Sequence, residues 1–400
     1  MGQTLTTLAP LLKEVYETGL TEQLNNDTKA YNRIKTNSKA SQKWGGKFVN
    51  FPIHVARNSG IGSRNENEAL PVAGYQDTRE AMIPMKYHYA AVELTGQAIE
   101  LADKDYQTFA ATLDLEVSSI KKDVSKERNR MFFGNGSGAR GVVASVAGQV
   151  ITVSDAKQLD LNGIYDIQTG ATATVRQTGI TVTNIDYQAN TITVTGTLTG
   201  VIAGDIIVRV GSYGREWSGL GAIMSNTTVF QQIDPATVPV WKAEVKAGQG
   251  TISELAMVRM ADRIFQNGGN TSVIWTSLGV QRAWFSLLAS QKRFVNSTKA
   301  EGGFSSVALQ TASQGEIPLA VDIDAPAGTA QYVDEKSITL YNAEGYKFMD
   351  RSGSMWQQKR TSAGKFDVWE ATLKEYSEMG TNRRNTHGII SGITEDNTYA

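Results

Sequence analysis

The chain has 400 residues, of which 40% are hydrophobic, and a formal net charge of −1. This length predicts two or three domains, and the near-neutral charge means that a polyanionic partner would have to meet a local basic patch. Cysteine is absent, which excludes disulfides, thiolate metal sites and cysteine nucleophiles. The sequence contains no apolar run of about 18 residues that could span a bilayer, so no membrane partner is expected.

The first elements leave surfaces without partners. Residues 8–24 carry leucines, Val15 and Tyr16 at helical spacing, so we expect an amphipathic helix whose Leu12 and Tyr16 contact another subunit. Residues 28–65 follow without a single Asp or Glu. This basic stretch is either a solvated linker or an arm that faces a polyanion. Its first four cations are Lys29, Arg33, Lys35 and Lys39.

Two segments predict a long hairpin. "KFVNFPIHVA" alternates apolar and polar residues, as does "AMIPMKYHYAAVEL", and more than twenty residues of mostly polar sequence separate them. A loop of this length favours a projecting two-stranded arm that contacts a second molecule. The alternation places Ile83, Met85, Tyr87 and Tyr89 on one side, and we expect Met85 and Tyr87 to lie in an intersubunit contact.

A long helix is predicted from a cap at Asp105 to about Phe133. It ends in "FFGNGSGARG", which contains the spacing G-x-G-x-x-G. A dinucleotide site needs a strand before these glycines and a helix after them, whereas this chain has the reverse order. The glycines are therefore interpreted as the end of a helix.

The rest of the chain divides into three types of sequence. Short strands and turns between residues 142 and 213 predict a small all-β module. From Gly248 the pattern is α/β, with helices in "TISELAMVRMADRIFQNGG" and "LGVQRAWFSLLASQKR" and strands in "NTSVIWTS" and "EIPLAVDIDAP". From Ala330 onward a run of antiparallel strands is predicted.

Residues suited to catalysis are few. The sequence has three histidines and no H-E-x-x-H, G-x-S-x-G or P-loop motif. Asp322 and Asp324 could bind a divalent cation or form an acid/base pair, but two solvated carboxylates at a strand end are the simpler interpretation. The same interpretation applies to Glu66, Glu68, Asp334 and Glu335. We predict no catalytic, metal or cofactor site.

The order of these parts resembles the major capsid protein of tailed double-stranded DNA bacteriophages, with the Hong Kong 97-like fold. The resemblance rests on the helix ending in "MFFGNGSG" and on the closing segments "IPLAVDIDAPAGTAQYVDEKSITLY", "MDRSGSMW" and "FDVWEATLKEYSEMGTNRRNTHGII". It implies an α+β fold with an inserted all-β domain. The implied divisions are an N-terminal arm (1–45), an extended loop (46–95), a peripheral domain with a spine helix (96–140 and 336–400), the insert (141–220) and an axial domain (221–335).

The resemblance also implies a function without catalysis. The chain would be made in the host cytoplasm and would assemble as pentamers and hexamers into an icosahedral virion head enclosing double-stranded DNA. A portal protein and a scaffolding protein are implied partners, and a decoration protein is left open. Only a short arm precedes the extended loop, so we expect a separate scaffold and little processing. Lys29, Arg33, Lys35 and Lys39 are expected to face the packaged DNA.

Three alternatives stay open at this stage. The nearest is the shell of a cellular nanocompartment with the same fold, which would hold cargo enzymes in place of a genome. A carbohydrate-binding or carbohydrate-active protein built around the β module is a less favoured alternative. The third is a fibre or tail structural protein.

Overall fold

The computed structural model describes most of the chain after its first segment. The described residues are 27–37, 39–43, 47–97, 106–170, 172, 174–290, 297–300, 304–350, 356–361 and 364–396. The amphipathic segment 8–24, with Leu12 and Tyr16, lies outside them, as does the predicted cap Asp105.

Helices are few in the described part of the chain. They are α1 (Lys29–Asn37), α2 (Tyr106–Phe133), α3 (Leu220–Ile223), α4 (Glu254–Gln266) and α5 (Leu278–Ser290). At 1.5 Å per residue, α2 is roughly 40 Å long. None of the helices in these ranges combines the length and the apolar character required to cross a membrane.

A five-stranded sheet packs beside α2. Its strands are β1 (Lys39–Lys43), β17 (Ile338–Phe348), β19 (Gly364–Thr381), β18 (Gln357–Thr361) and β4 (Lys86–Thr95). The long strand β19 is central, because β17 and β18 pair along one side of it and β4 along the other. All of these pairings are antiparallel except that of β1 with β17.

A seven-stranded mixed sheet forms the second layer. In spatial order its strands are β11 (Glu244–Lys246), β20 (Gly388–Ser391), β16 (Thr329–Val333), β12 (Val273–Thr276), β15 (Gly315–Val321), β14 (Phe304–Thr311) and β13 (Ser297–Ala300). The central β12 is buried along its whole length, as expected for a strand covered on both faces.

The strands between α2 and α3 close into a six-stranded barrel. They are β5 (Ala139–Ala147), β6 (Val150–Val153), β7 (Ile164–Thr169), β8 (Val175–Asp186), β9 (Thr191–Val194) and β10 (Asp205–Arg209). Side chains such as Ile151, Tyr165 and Ile207 fill its interior. Residues 187–190 form the turn that joins β8 to β9, and Asn190 there has a positive φ of 50°.

The remaining sheet is a hairpin of β2 (Phe48–Ala56) and β3 (Asp77–Pro84). Residues 57–76, here called the hairpin tip, connect the two strands. The predicted alternation along β2 is confirmed: Phe51, Ile53 and Val55 are partly buried and pack against the main core, while their neighbours are exposed. The base of the hairpin thus rests on its own chain, and only the tip projects.

One continuous core joins the two large sheets to the helices that pack on them. Ile34 of α1, Phe132 of α2, Trp275 of β12 and Met379 of β19 belong to a single cluster of buried apolar side chains. The rings of Phe133 and Trp275 meet edge to face with centroids 6.2 Å apart. Because both larger sheets and the helices α1, α2 and α3 share this core, they form one packed body.

The interpretation of the basic stretch as a solvated linker is wrong for residues 29–37 and 39–43. Residues 29–37 form a helix and residues 39–43 a sheet strand, and Ala30 and Ile34 are completely buried. Ala30 and Ile34 are four residues apart, which is helical spacing. A single apolar pair among many cations is too short a pattern to predict a helix.

The prediction of one continuous strand over residues 81–94 is also wrong. Pro84 ends β3, and the next strand, β4, pairs with β19 and not with β2. The alternation changes phase at this break, so Ile83 is buried while Tyr87 and Tyr89 are exposed. His88, predicted to lie on the hairpin, therefore belongs to the five-stranded sheet.

The closing segment of the chain and the glycine motif after α2 can also be compared with their predictions. The strand Gly388–Ser391 lies in the seven-stranded sheet, so the closing segment 336–400 contributes to both large sheets. The glycine motif follows a helix and precedes a strand, as the helix-end interpretation requires. Gly136 and Gly138 have φ of 82° and 79°, a region that favours glycine.

If α1 is a folded part of the core, Ile34→Ala should lower the free energy of unfolding by about 2–5 kcal/mol, because the substitution leaves a cavity. Lys35→Ala, one residue further along the exposed side of the same helix, should change the free energy by less than about 0.5 kcal/mol. Denaturant unfolding of the two variants measures both effects. Equal, small effects would mean that residues 29–37 are not packed against the core.

Candidate assembly surface and the charge cluster that supports it

The last turns of α2 carry a group of polar side chains that we call the α2 cluster. Its members are Lys126, Glu127, Arg128, Asn129 and Arg130. Each of them bonds to at least one residue outside α2, so the geometry of the exposed surfaces depends on this cluster.

Asn129 is completely buried and joins α1 to the seven-stranded sheet. Its side-chain oxygen accepts the Tyr31 N–H at 3.0 Å. Its amide nitrogen donates to Asp322 Oδ1 at 2.8 Å and to Asp324 Oδ2 at 2.6 Å. Asp322 Oδ2 in turn accepts the Ala30 N–H at 3.0 Å, at the first turn of α1, where a negative charge is favourable.

These contacts correct the interpretation of Asp322 and Asp324 as solvated carboxylates. Both are buried, and Lys126 Nζ lies 2.9 Å from Asp324 Oδ2. No group of three or more His, Asp or Glu side chains that could hold a metal ion occurs among the residues the structure describes. The pair serves as a structural anchor for α1 and α2.

Glu335 and Arg33 form a second buried connection. Arg33 Nε lies 2.6 Å from Glu335 Oε1, and Arg33 Nη2 lies 3.2 Å from Glu335 Oε2. The two side chains are only 6% and 4% exposed. Arg33 therefore does not fit the expected DNA-facing role, and Glu335 is not a solvated loop residue. Glu66 and Glu68, in contrast, are exposed as expected.

Glu127 connects α2 to the barrel. Arg140 Nη2 donates to both of its carboxylate oxygens at 2.6 Å, and Arg130 Nη2 contacts it at 2.6 Å. Burial alone would raise the pKa of Glu127, but the two guanidinium groups outweigh it and hold that pKa well below its usual range. Arg130 also reaches Glu216, at 2.5 Å, in the segment that leaves the barrel.

Arg128 connects α2 to the five-stranded sheet. Its Nε donates to Glu375 Oε2 on β19 at 3.0 Å, and its Nη1 donates to the Tyr31 hydroxyl at 2.5 Å. The guanidinium carbon also lies 3.9 Å from the centroid of the Tyr346 ring on β17. The α2 cluster thus bonds to α1, to the barrel and to strands or loops of both large sheets.

The hairpin tip is ordered yet exposes apolar side chains. Asn58 Nδ2 donates to Gly74 O at 3.1 Å, and its Oδ1 accepts the Gly60 N–H at 2.7 Å, which closes the base of the tip. A Cβ on Gly74 would lie 2.4 Å from Asn58 Oδ1, so a larger residue there would displace the side chain that closes the tip. Four apolar side chains in the tip are 81% to 88% exposed: Ile61, Leu70, Val72 and Tyr75.

A second exposed apolar surface lies on the five-stranded sheet, and we call it the tyrosine face. Tyr87 and Tyr376 meet edge to face with centroids 5.0 Å apart, and Tyr89 lies 6.3 Å from Tyr376. Lys374 Nζ lies 5.1 Å from the Tyr376 ring centroid. Neighbouring residues on the same strands, His88 and Glu375, point to the opposite side toward α2.

The residues predicted to contact other subunits or DNA lie in different environments. Tyr87 lies on the tyrosine face, whereas Met85 is partly buried beside Ile83. Lys29 pairs with Asp27 at 2.8 Å, and Lys35 is exposed. Lys39 lies in β1.

The three histidines occupy unrelated places. His54 is exposed on the hairpin, 2.5 Å from Gln76 Oε1. His387 is completely buried, where burial lowers its pKa to about 3, and it contacts Ser337 Oγ at 2.9 Å. Burial and the nearby charge of Arg128 lower the pKa of His88 to about 4. Their separate environments show no shared catalytic arrangement among the described residues.

Glu378 is a buried carboxyl group that the sequence gives no reason to single out. Its Oε1 accepts the backbone N–H groups of Ser218 at 2.7 Å and Met379 at 3.0 Å, and its Oε2 has no hydrogen-bond partner within the described ranges. Burial raises the pKa of Glu378 to about 7, and Lys86 only partly offsets this effect. The residue fastens the segment after the barrel to β19.

The chain matches one protein-family model and several solved structures. The family model described as SU10 major capsid protein matches residues 161–394, more than half of the chain. No curated protein is similar to the chain at a significant level.

Among solved structures, the capsid asymmetric unit of cyanophage A-1(L) has a TM-score of 0.61 at 13% identity and covers 98% of this chain and 100% of that one. The capsid of an empty GTA particle has a TM-score of 0.54 at 9% identity, with 98% and 99% coverage. A chain of Mycobacterium phage Bobi has a TM-score of 0.50 at 10% identity, with the same coverage.

The structural similarities, at these low identities, show that the chain has the Hong Kong 97-like phage capsid fold. The chain belongs to the SU10 major capsid protein family. It is a coat protein, and it forms a homo-oligomeric shell in the virion.

Glu378→Gln should stabilise the protein in a pH-dependent manner. The folded-state pKa of about 7 exceeds the ordinary value of 4.5, so the folded state loses stability relative to the unfolded state as pH rises from 4.5 to 7. Glutamine removes this effect, which gives a gain of about 3 kcal/mol at pH 8 and none below pH 4.5, by linkage.

Thermal unfolding of this variant across that pH range measures the difference. Glu66→Gln in the exposed hairpin tip is the matched control and should show no such dependence. A gain from Glu378→Gln that does not change with pH would refute a raised pKa at this position.

Proposed function

We propose that the chain assembles as pentamers and hexamers into an icosahedral head that encloses double-stranded DNA. The single observation that best supports this proposal is the ordered hairpin tip, whose apolar side chains its own chain leaves uncovered. Burying a side chain of this size stabilises an interface by about 1.5–3 kcal/mol, so a contact that is repeated around a closed shell becomes strong in total.

Each sheet of the subunit is assigned a proposed role from its place in the fold. The five-stranded sheet with α2 corresponds to the peripheral domain, and most of the seven-stranded sheet corresponds to the axial domain around pentamer and hexamer centres. The hairpin is the extended loop, the barrel is the inserted domain, and the residues before α1 form the arm that contacts neighbours. The continuous core supports treating the two larger domains as one rigid unit.

A structural role without catalysis is part of the proposal. Several buried charges belong to ion pairs that hold elements together, such as Arg33 with Glu335. We propose that the coat is made in the host cytoplasm and that assembly uses a scaffolding protein and a portal protein. A decoration protein would meet the outer surface. These partners are supported by the family resemblance alone.

Packaged DNA is the proposed partner of the basic residues near the start of the described chain. Lys29 and Lys35 lie on α1 and Lys39 on β1, and Arg33 is excluded because its charge is buried against Glu335. Contacts of this type neutralise phosphate charge without reading sequence, so they are sensitive to salt.

Val72→Asp tests the contact made by the hairpin tip. Val72 is 87% exposed in the subunit, so the change should leave the melting temperature of the subunit unaltered but prevent shell closure, because a charge would be buried between copies. Electron microscopy counts the closed particles. Ser63→Asp adds the same charge at an exposed polar position of the tip and should permit assembly. Normal shells from Val72→Asp would contradict the proposed contact.

The triple variant Lys29→Ala, Lys35→Ala and Lys39→Ala tests the contact with DNA. Shells should still form, but they should lose DNA at a lower salt concentration than the wild type, because fewer phosphates are neutralised. A control that removes the exposed Lys157, Lys242 and Lys365 should behave like the wild type. Equal DNA retention in both variants would remove this role, and particles that never contain DNA would favour a cellular compartment.

A further inference from the structure

A strained turn lies beneath the base of the hairpin. Residues 230–233, here called the Gln231 turn, are closed by hydrogen bonds from Phe230 N to Ile233 O at 3.1 Å and from Ile233 N to Phe230 O at 3.0 Å. Gln231 and Gln232 both have positive φ, 50° and 62°. Such two-residue turns favour Gly, Asn or Asp, so two glutamines here are unusual and persist only if the surroundings hold them.

Two buried side chains, Arg384 and Trp241, hold the Gln231 turn in place. Arg384 is completely buried and donates to Ile223 O and to Thr228 O, both at 2.9 Å. Its guanidinium carbon lies 5.2 Å from the centroid of the Phe230 ring. Trp241 Nε1 donates to Phe230 O at 3.2 Å. The turn is therefore a fixed support and not a free loop.

Gln231 uses this support to connect the hairpin to the five-stranded sheet. Its backbone oxygen accepts the N–H of Met82 on β3 at 3.0 Å. With its amide oriented to match its neighbours, its side chain donates to Thr381 O at 2.8 Å and accepts the Thr381 N–H at 3.0 Å on β19. Gln232, the adjacent residue of the same type, has an exposed side chain.

Gly380 makes this close arrangement feasible. A Cβ at this position would lie 2.4 Å from Ile83 Cδ1 and 2.6 Å from the end of the Gln231 side-chain amide. Ile83 of β3 is buried beside Tyr341 of the five-stranded sheet. The hairpin base therefore approaches β19 as closely as a residue without a side chain allows, and Gln231 lies at the point of contact.

We propose that Gln231 is a positioning residue that fixes the direction in which the hairpin leaves the body of the subunit. A small change at this contact would be amplified along the hairpin: β2 has nine residues, so it spans about 30 Å, and a rotation of about 10° at its base would move the tip by about 5 Å. The same rotation would shift Phe51, Ile53 and Val55 on the core, so these side chains share in holding the hairpin. The local role depends only on the subunit, and its consequence for the shell rests on the proposed function. A tip displaced by this distance would meet a neighbouring copy at a different angle.

Gln231→Asn and Gln232→Asn form a matched pair for the test. Asparagine tolerates positive φ better than glutamine, so both variants keep the turn, whereas the shorter side chain at 231 no longer reaches Thr381. Hydrogen exchange of the unassembled subunit is measured at the amides of β2 and β3 and, as an internal reference, at those of the barrel. We expect the hairpin amides of Gln231→Asn to exchange at least about tenfold faster, with the barrel unchanged and Gln232→Asn like the wild type.

Unchanged hairpin exchange in Gln231→Asn, or an equal increase in both variants, would overturn the proposal. So would faster exchange in the barrel as well, because the effect would then be global. The same variants are assembled and their particle diameters compared by electron microscopy, and a wider distribution is expected for Gln231→Asn alone. Faster hairpin exchange with wild-type diameters would refute the directional role, whereas failure of the wild-type chain to form shells would refute the proposed function instead.

Discussion

The structure depends on the charges buried at the end of α2. Taking charges out of water is costly, so they are tolerated only where each is matched by a partner of opposite charge or by hydrogen bonds. Glu127 lies between Arg130 and Arg140, and Asn129 bonds to both Asp322 and Asp324. Because these partners come from different parts of the fold, satisfying the charges fixes the barrel, α1 and the two large sheets relative to one helix. The result is a rigid body on which exposed surfaces keep a defined geometry.

A shell subunit needs both rigidity and one adjustable element, since identical chains must form contacts at slightly different angles. The shared core and the α2 cluster supply the rigidity. We propose the hairpin as the adjustable element, because it forms a separate two-stranded sheet whose tip makes its hydrogen bonds within itself. Its direction relative to the body is set where Gln231, Ile83 and Gly380 meet and where Phe51, Ile53 and Val55 pack against the core.

Sequence patterns predicted the elements that have long, regular periodicity. The end of α2 at Phe133, the buried strand Val273–Thr276 and the alternation along β2 are confirmed. What failed depends on tertiary partners. The sequence predicts that Arg33 faces DNA, because its true partner, Glu335, is 302 residues away in the chain. It predicts a solvated Asp322 for the same reason, since Asn129 is also distant in sequence and local patterns do not reveal it. The sequence does not predict that the buried side of the strand changes at Met85. This change arises because β4 pairs with β19, which is distant in sequence, and local patterns do not reveal that pairing.

Electron microscopy of the purified full chain, at a resolution that traces the hairpin, tests the central claim most directly. The account predicts closed shells of pentamers and hexamers in which Leu70 and Val72 of each copy are covered by a neighbouring copy. A stable monomer at high concentration, with these side chains still exposed to solvent, would contradict it.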